Sequence, residues 1–345
     1  MRFDKEKEKE FIYIWGDVIP GNNTQSKTDI MHWDDAMSME DMFVKYPGVW
    51  DRENEKLGDM IGNDTMVYRE EIKHGYAGET YEDKPFLVPY LVPGSGRCVI
   101  SCPGGAYLTK SIEAEGSHIA KFLNEAGISC FVLWYRSYPY RAPYMFLDLQ
   151  RAIRYLRANA DKYGIDADKI ATVGFSAGGN LAAVEATVFR NRSVCEFVSD
   201  YRPDEIDRMD GMPNAVGLVY PAVTFRGDKI QAVMDSREGY NDPERRCAFA
   251  DRYETKNFVE AGDPPYFECN ALDDEVIDAF HMIEFSEALR KKGISQEIHI
   301  FPYGGHGFGA CDMDTVPPIP GFKKPDYKAV SQWKELFVTW LEGVL

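Results

Sequence analysis

Residues 172–181 read Thr-Val-Gly-Phe-Ser-Ala-Gly-Gly-Asn-Leu and place Ser176 in a Gly-x-Ser-x-Gly frame. An apolar segment precedes the frame and an Ala-rich segment follows it, which predicts a strand that turns sharply into a helix. Side chains at positions 174 and 178 would collide with the crossing backbone in such a turn, so the glycines there are expected. The pattern predicts that the Ser176 hydroxyl stands clear of the sheet at the end of a strand, as a nucleophile does.

A serine hydroxyl is a weak nucleophile at neutral pH and needs a base that takes its proton. The chain has six histidines, and five lie in the amino-terminal region or inside predicted helices and strands: His32, His74, His118, His281 and His299. His306 instead lies in Tyr-Gly-Gly-His-Gly-Phe at 303–308, directly after an apolar strand. Flexible backbone suits a ring that must reach a serine, so His306 is the predicted base. The alternative is a histidine on a surface loop.

The base in turn needs a carboxylate that orients it. The apolar segment 265–271 is followed by Leu-Asp-Asp-Glu-Val-Ile at 272–277, which indicates a strand and then an acidic loop. Asp274 is favoured over Asp273, and Glu275 is the third choice. The acids not used in this way are expected to cap the helix predicted at 278–292 or to stabilise its N-terminus.

Acyl transfer also requires donors for the negative oxygen of a tetrahedral intermediate. An apolar strand at 98–102 runs into Pro-Gly-Gly-Ala at 103–106, where small residues allow backbone amides to face a ligand. Pro-Gly-Gly alone is more often an ordinary turn, but its place after an early strand favours the catalytic interpretation. The predicted donors are the amides of Gly105, Ala106 and Ala177.

From about residue 98 to the end, the chain resembles the α/β-hydrolase superfamily, and within it the small acetylesterases related to acetyl xylan and feruloyl esterases. The matching motifs are Cys-Pro-Gly-Gly-Ala-Tyr at 102–107, Leu-Trp-Tyr-Arg at 133–136, Tyr-Gly-Ile-Asp-Ala-Asp-Lys-Ile at 163–170, Gly-Phe-Ser-Ala-Gly-Gly-Asn-Leu at 174–181, Pro-Pro-Tyr-Phe at 264–267, Asp-Glu-Val at 274–276 and Phe-Pro-Tyr-Gly-Gly-His-Gly-Phe at 301–308. The resemblance implies a serine ester hydrolase with Ser176, Asp274 and His306 as its triad. The chain departs from the family at Asn180, where members often have His, and at Ala106, where members often have a third Gly.

The apolar pattern predicts an α/β-hydrolase fold, with a mostly parallel central sheet covered by helices on both faces. Short runs rich in Val, Ile, Phe and Tyr predict strands at 98–102, 129–134, 170–174, 215–220, 265–271 and 296–301. Helical spacing of apolar residues predicts helices at 147–163 and 327–345. Ligands of such sheets bind at the carboxyl ends of the strands.

The sequence predicts one α/β-hydrolase domain over 1–345, because no linker interrupts it. Residues 1–85 are expected to form an extension packed on the core, and 188–213 and 222–263 to form insertions or a lid. Tyr107, Tyr138 and Phe225 are predicted to contact the substrate. Other aromatic residues of the same loops either line the pocket with them or simply pack the lid: Tyr140, Tyr144, Tyr240, Phe249 and Tyr253.

Composition excludes several classes of function. A net charge of −17 would repel nucleic-acid phosphates, and no apolar stretch is long enough to span a membrane. Seven cysteines, an odd number, indicate reduced thiols rather than a disulfide framework. We therefore expect a cytoplasmic enzyme without metal or cofactor, whose only partner is a small-molecule or oligosaccharide ester; the sequence gives no oligomeric state.

The preferred substrate class is short acyl groups, acetyl above all, on sugars or oligosaccharides. Two alternatives stay open. A peptidase of the prolyl-oligopeptidase type shares the triad but usually carries a propeller domain, for which 85 leading residues are too few. A non-catalytic ligand-binding homologue usually loses the histidine that this chain keeps.

Overall fold

A computed structural model of the chain describes residues 5–21, 30–31, 68–69, 84–107, 110–137, 140–226, 230–312 and 327–345. Within these ranges one sheet contains β1 (Ile12–Tyr13), β2 (Phe86–Tyr90), β3 (Gly96–Cys102), β4 (Ser129–Trp134), β5 (Ile165–Phe175), β6 (Ala215–Val219), β7 (Tyr266–Ala271) and β8 (Gln296–Phe301). The order across the sheet is β1-β2-β4-β3-β5-β6-β7-β8. The pairs β1/β2 and β2/β4 are antiparallel, and all other neighbouring strands in this sheet are parallel. Separately, Ile30–Met31 pairs with Tyr68–Arg69.

Helices precede, connect and follow the strands of this sheet. They are α1 (Lys5–Glu8), α2 (His118–Glu125), α3 (Tyr144–Ala158), α4 (Ala160–Tyr163), α5 (Ala177–Val184), α6 (Ile230–Met234), α7 (Arg237–Asn241), α8 (Pro243–Tyr253), α9 (Ala279–Lys291) and α10 (Trp333–Val344). Shorter helical turns lie at Glu113–Ser117, Glu185–Phe189, Val194–Glu196, Ile206–Arg208, Thr255–Asn257 and Val330–Gln332. None of the helices in the described ranges is long and apolar enough to cross a membrane.

The core lies on both faces of the sheet. Alternate residues of β3 point to opposite sides, so Cys98 and Ile100 join one apolar cluster and Val99 joins the other. The first cluster also contains side chains of α3, α5 and α9, and the second contains side chains of α2 and α10. This arrangement confirms the predicted fold of a mostly parallel sheet covered by helices.

Strands are present at all six predicted positions, and the structure adds β1 and β2 at one edge. β2 escaped prediction because it carries Pro89, a residue that weakens a strand pattern. β5 begins at Ile165, ahead of its prediction at 170, because Ile165 pairs with Gly96 across a register shift in β3. The helix predicted at 147–163 is instead two helices, α3 and α4, which meet at Asn159.

A buried ion pair fastens the described part of the amino-terminal segment to the core. Arg136 and Asp148 are bonded at 2.7 Å with side chains 2% and 0% exposed. The indole of Trp15 donates to Asp148 at 2.8 Å, and Arg136 donates to the carbonyl of Pro20. Arg151 adds a bond at 2.8 Å to the carbonyl of Ile14. Most of residues 1–85 lies outside the described residues, so their predicted role as a packed extension stays a prediction.

The segment 222–263 carries α6, α7 and α8 and contributes aromatic side chains to the first cluster. Phe225 lies 5.4 Å from Phe249 and 6.1 Å from Tyr253 between ring centroids, and Tyr253 lies 5.4 Å from Phe146 of α3. These rings pack this insertion against α3. The division into a core, an extension and a lid stays a prediction.

Asp148→Ala is expected to lower the free energy of unfolding by about 3–5 kcal/mol, because Arg136 would stay buried without its counter-charge. Urea denaturation measures the change. Glu205→Ala is the control, since its ion pair with Arg208 is 82% and 75% exposed and should contribute almost nothing. Equal destabilisation by both substitutions would contradict the assigned importance of the buried pair.

Candidate active site

Ser176 occupies a strained turn between β5 and α5. Its φ of 52° and ψ of −117° lie where a side chain is disfavoured. The conformation is held by backbone bonds: the Ser176 amide donates to Val219 at 3.1 Å, and its carbonyl accepts from Ala222 at 3.2 Å. A Cβ on Gly174 would overlap the carbonyl of Gly178, and a Cβ on Gly178 would overlap the carbonyl of Cys102. The turn therefore requires glycine at both positions.

The structure brings the three residues of the predicted triad together. His306 Nε2 lies 2.9 Å from Ser176 Oγ, and His306 Nδ1 lies 2.8 Å from Asp274 Oδ2. The Asp274 side chain is fully buried and that of His306 is 19% exposed. The second oxygen of Asp274 accepts the amides of Val276 at 2.9 Å and Ile277 at 2.8 Å, which fixes the carboxylate in the loop after β7.

The neighbouring aspartate has different contacts. Asp273 Oδ1 accepts the amides of Gly304 at 2.9 Å and Gly305 at 2.8 Å. It therefore holds the backbone that leads to His306, whereas Asp274 contacts the imidazole itself. Glu275 is exposed. The geometry thus supports the preference for Asp274 as the orienting carboxylate.

The loop after β3 has an unusual backbone. Gly105, Ala106 and Tyr107 have φ values of 134°, 54° and 57°, and the two non-glycine residues are strained. The amides of Gly105, Ala106 and Ala177 donate to no acceptor within the part of the chain that the structure describes. They remain available for a ligand, as their predicted role as oxyanion donors requires. The amide of Gly104 is not available, because it donates to Glu115 Oε2 at 2.6 Å.

The described residues that were predicted to contact the substrate lie in the core. Tyr107 is fully buried and its hydroxyl donates to Asn180 at 2.8 Å, while Asn180 donates to the carbonyl of Ala222 at 2.7 Å. Phe225 is 1% exposed and packs against aromatic neighbours. Tyr138 lies outside the described residues. Both described side chains are engaged in the core, and a role in substrate binding stays a prediction for all three.

Two residues next to the triad were not found from the sequence. Glu115 is 4% exposed, and Tyr220 is fully buried directly after β6. The Tyr220 hydroxyl donates to Glu115 Oε1 at 2.7 Å, and its ring lies 5.0 Å from the imidazole of His306. A tyrosine at the carboxyl end of a parallel strand is a signal that could have been used. Glu115 gives no such signal, because a glutamate in a helical turn is typical of an exposed surface.

Burial sets the protonation properties of this pair. It raises the pKa of the Glu115 carboxyl, although hydrogen bonds from Tyr220 and Gly104 and the charge of His306 act in the opposite direction. The pKa of Tyr220 lies well above its usual value, first because of burial and then because of Glu115. The phenol therefore stays protonated and able to donate.

Among the described residues, no three His, Cys, Asp or Glu side chains are grouped so as to hold a metal ion.

Comparison with known proteins places this geometry in a family. The BD-FAE family model matches residues 89–289, which is more than half of the chain. Endo-1,4-beta-xylanase B of Butyrivibrio fibrisolvens is 29% identical over 288 residues, which cover 79% of this chain and 42% of that protein. The acetylxylan esterase of Xylanibacter ruminicola is 29% identical over 222 residues, covering 62% of this chain and 42% of that protein. The chain thus spans about two fifths of the length of these curated relatives.

A solved structure gives a fuller match. The acetyl ester-xyloside bifunctional hydrolase from Caldicellulosiruptor lactoaceticus has 31% sequence identity and a TM-score of 0.63. The match covers 76% of this chain and 88% of that protein. The chain therefore belongs to the BD-FAE family, within the α/β-hydrolase superfamily.

Proposed function

We propose that this protein is a serine carboxylic-ester hydrolase that works through an acyl-enzyme. The observation that carries the proposal is the continuous chain of hydrogen bonds from Ser176 through His306 to the buried Asp274, at 2.9 and 2.8 Å. This arrangement supplies a nucleophile, a base and an orienting carboxylate within bonding distance of one another. A homologue that only binds a ligand has no need of such an alignment.

In the first half-reaction, Ser176 Oγ attacks the carbonyl carbon of the ester while His306 Nε2 takes the hydroxyl proton. Asp274 holds the Nδ1 proton and stabilises the imidazolium. The amides of Gly105, Ala106 and Ala177 donate hydrogen bonds to the carbonyl oxygen and stabilise the negative charge that develops on it. When the intermediate collapses, the carbon–oxygen bond to the alcohol breaks, and the alcohol leaves with the proton from His306.

The second half-reaction repeats these roles with water. His306 takes a proton from the water as its oxygen attacks the acyl carbon. The second tetrahedral intermediate then releases the acid, and His306 returns the proton to Ser176 Oγ. The enzyme is regenerated without any added cofactor: the proton of Ser176 leaves with the alcohol in the first half-reaction, and a proton from water replaces it in the second.

We propose short acyl groups, acetyl above all, on sugars or oligosaccharides as the substrate class. The names of the relatives support this choice, because they include an acetylxylan esterase and an acetyl ester-xyloside hydrolase.

We also propose a cytoplasmic location. All seven cysteines are free, and four of them are buried in the sheet, which suits a reducing compartment.

Ser176→Ala and His306→Ala are each expected to lower kcat for p-nitrophenyl acetate by at least about 10⁴-fold, because each removes part of one catalytic unit. The double variant should be no slower than the slower single variant, since the unit is already broken. Steady-state rates on folded protein, checked by circular dichroism, measure this. A Ser176→Ala variant as fast as the native protein would exclude the proposed mechanism.

Asp274→Asn is expected to lower kcat by about 10⁴-fold, because the amide group would face Nδ1 and favour the tautomer whose Nε2 carries a proton. Asp273→Asn is the matched control. Its remaining carbonyl oxygen can still accept the amides of Gly304 and Gly305, so the loss should stay below about 10-fold. The same assay compares the two, and a reversed order would assign the orienting role to Asp273.

Acetate release from acetylated xylo-oligosaccharides is expected to have a kcat/KM at least about 10-fold above that for simple alkyl acetates, because binding of the sugar contributes to the transition state. A coupled acetate assay measures both. A panel of dipeptides provides the comparison with peptidase activity and should give no turnover. Faster dipeptide cleavage would favour a peptidase.

A further inference from the structure

Glu115 lies between the two loops that meet at Ser176. It belongs to the helical turn Glu113–Ser117, which follows the oxyanion loop 103–107 and precedes α2. The residue is 4% exposed, and its backbone carbonyl accepts the hydroxyl of Ser101 at 2.7 Å. The carboxyl group is therefore held inside the core, where an oxygen without a hydrogen-bond donor would destabilise the folded protein.

Each oxygen of the Glu115 carboxyl group has a partner in a different part of the site. Oε2 accepts the amide of Gly104 at 2.6 Å, one residue before the first predicted oxyanion donor. Oε1 accepts the hydroxyl of Tyr220 at 2.7 Å. The Gly104 position is further restricted, because a Cβ there would lie 2.6 Å from the carbonyl oxygen of Phe175.

Tyr220 continues the connection to the histidine loop. Its hydroxyl accepts the amide of Gly309 at 2.9 Å, three residues after His306. Its ring makes an edge contact with Phe308 at 4.4 Å between centroids, in addition to the contact with the imidazole. A backbone bond of 2.9 Å from Ala310 to the carbonyl of Ala114 runs alongside. Two independent connections thus join the turn 113–117 to the loop that carries His306.

We propose that Glu115 is a positioning residue that, through Tyr220, holds the oxyanion loop and the histidine loop at a fixed separation. The inference rests on the proposed esterase function. Oxyanion donors must lie about 2.7–3.1 Å from the developing negative oxygen, and a displacement of about 1 Å costs about 100-fold in rate. The hydrogen bond from Gly104 to Glu115 restrains the neighbouring amide of Gly105. Glu115 therefore affects the stability of the transition state without contacting the substrate.

Three variants separate this role from simple packing. Glu115→Gln keeps the shape of the side chain but offers one acceptor oxygen to the two donors. Tyr220→Phe keeps the ring and the bond from Gly104 to Glu115, and removes the connection to Gly309. The double variant, Glu115→Gln with Tyr220→Phe, alters both partners of the same hydrogen bond. The control is Glu268→Gln in β7. Glu268 is buried as well, and burial raises its pKa to about 8, so glutamine replaces a largely uncharged group there at neutral pH.

The experiment measures kcat and KM for p-nitrophenyl acetate at pH 7, per active site titrated with an organophosphate. We expect Glu115→Gln and Tyr220→Phe each to lower kcat by about 10–100-fold with KM within about threefold, which is the pattern of an interaction made in the transition state. The double variant should match the slower single variant, since the two residues form one unit. Glu268→Gln should stay within about twofold of the native kcat.

A purely structural role would reduce the number of titratable sites or the melting temperature, but not kcat per titrated site. Values within twofold of the native kcat in both single variants would overturn the inference, as would single effects that multiply in the double variant. If Glu115→Gln does not fold, the result for Tyr220→Phe alone tests the inference, and a kcat within twofold of the native value overturns it. Native protein with no more activity than Ser176→Ala would overturn the proposed function as well, so the two failures are distinguishable.

Discussion

The close crossing of three backbone segments beneath Ser176 is the constraint on which the rest of the site depends. The end of β3, the end of β5 and the start of α5 meet where a Cβ on Gly178 would overlap the carbonyl of Cys102. This approach leaves Ser176 at a positive φ, and the strain is offset by bonds to Val219 at the end of β6 and to Ala222 in the loop that follows. The same crossing sets the loop 103–107 beside the start of α5, so the proposed nucleophile and the proposed oxyanion donors are fixed together.

Buried carboxyl groups join distant segments of the chain, both at the site and elsewhere in the core. Asp274 and Asp148 have fully buried side chains, and each has partners for both of its oxygens. A buried carboxylate is tolerated only when it is paired in this way. Glu185 differs, since neither oxygen of its carboxyl group has a hydrogen-bond partner within the described residues, and burial raises its pKa. Satisfied buried acids are therefore concentrated where loops must be held in place.

The sequence predicted those parts of the site that depend on local backbone geometry. The turn at Ser176 was predictable because glycines at 174 and 178 and the change from strand to helix all lie within one short segment. The choice between Asp273 and Asp274 was not fixed by the sequence, because adjacent acidic residues in one loop are chemically equivalent until the fold gives them different partners. Glu115 was not predictable for the same reason, since its importance comes from contacts between distant segments. β2 escaped because Pro89 interrupts its apolar run, and only the pairing with β4 shows that the run is a strand.

The glycines around His306 were predicted to make the loop flexible, but in the structure they allow backbone conformations with positive φ. Gly305, Gly307 and Gly309 have φ values of 62°, 77° and 46°, so glycine is needed there for conformation. The loop is held at both ends: Asp273 binds the amides of Gly304 and Gly305, and Gly309 is held by Tyr220 and by the indole of Trp333 at 3.0 Å. The imidazole is already within bonding distance of Ser176. A loop fixed in this way avoids the ordering cost that a mobile histidine would add to every turnover, because its geometry is established when the chain folds.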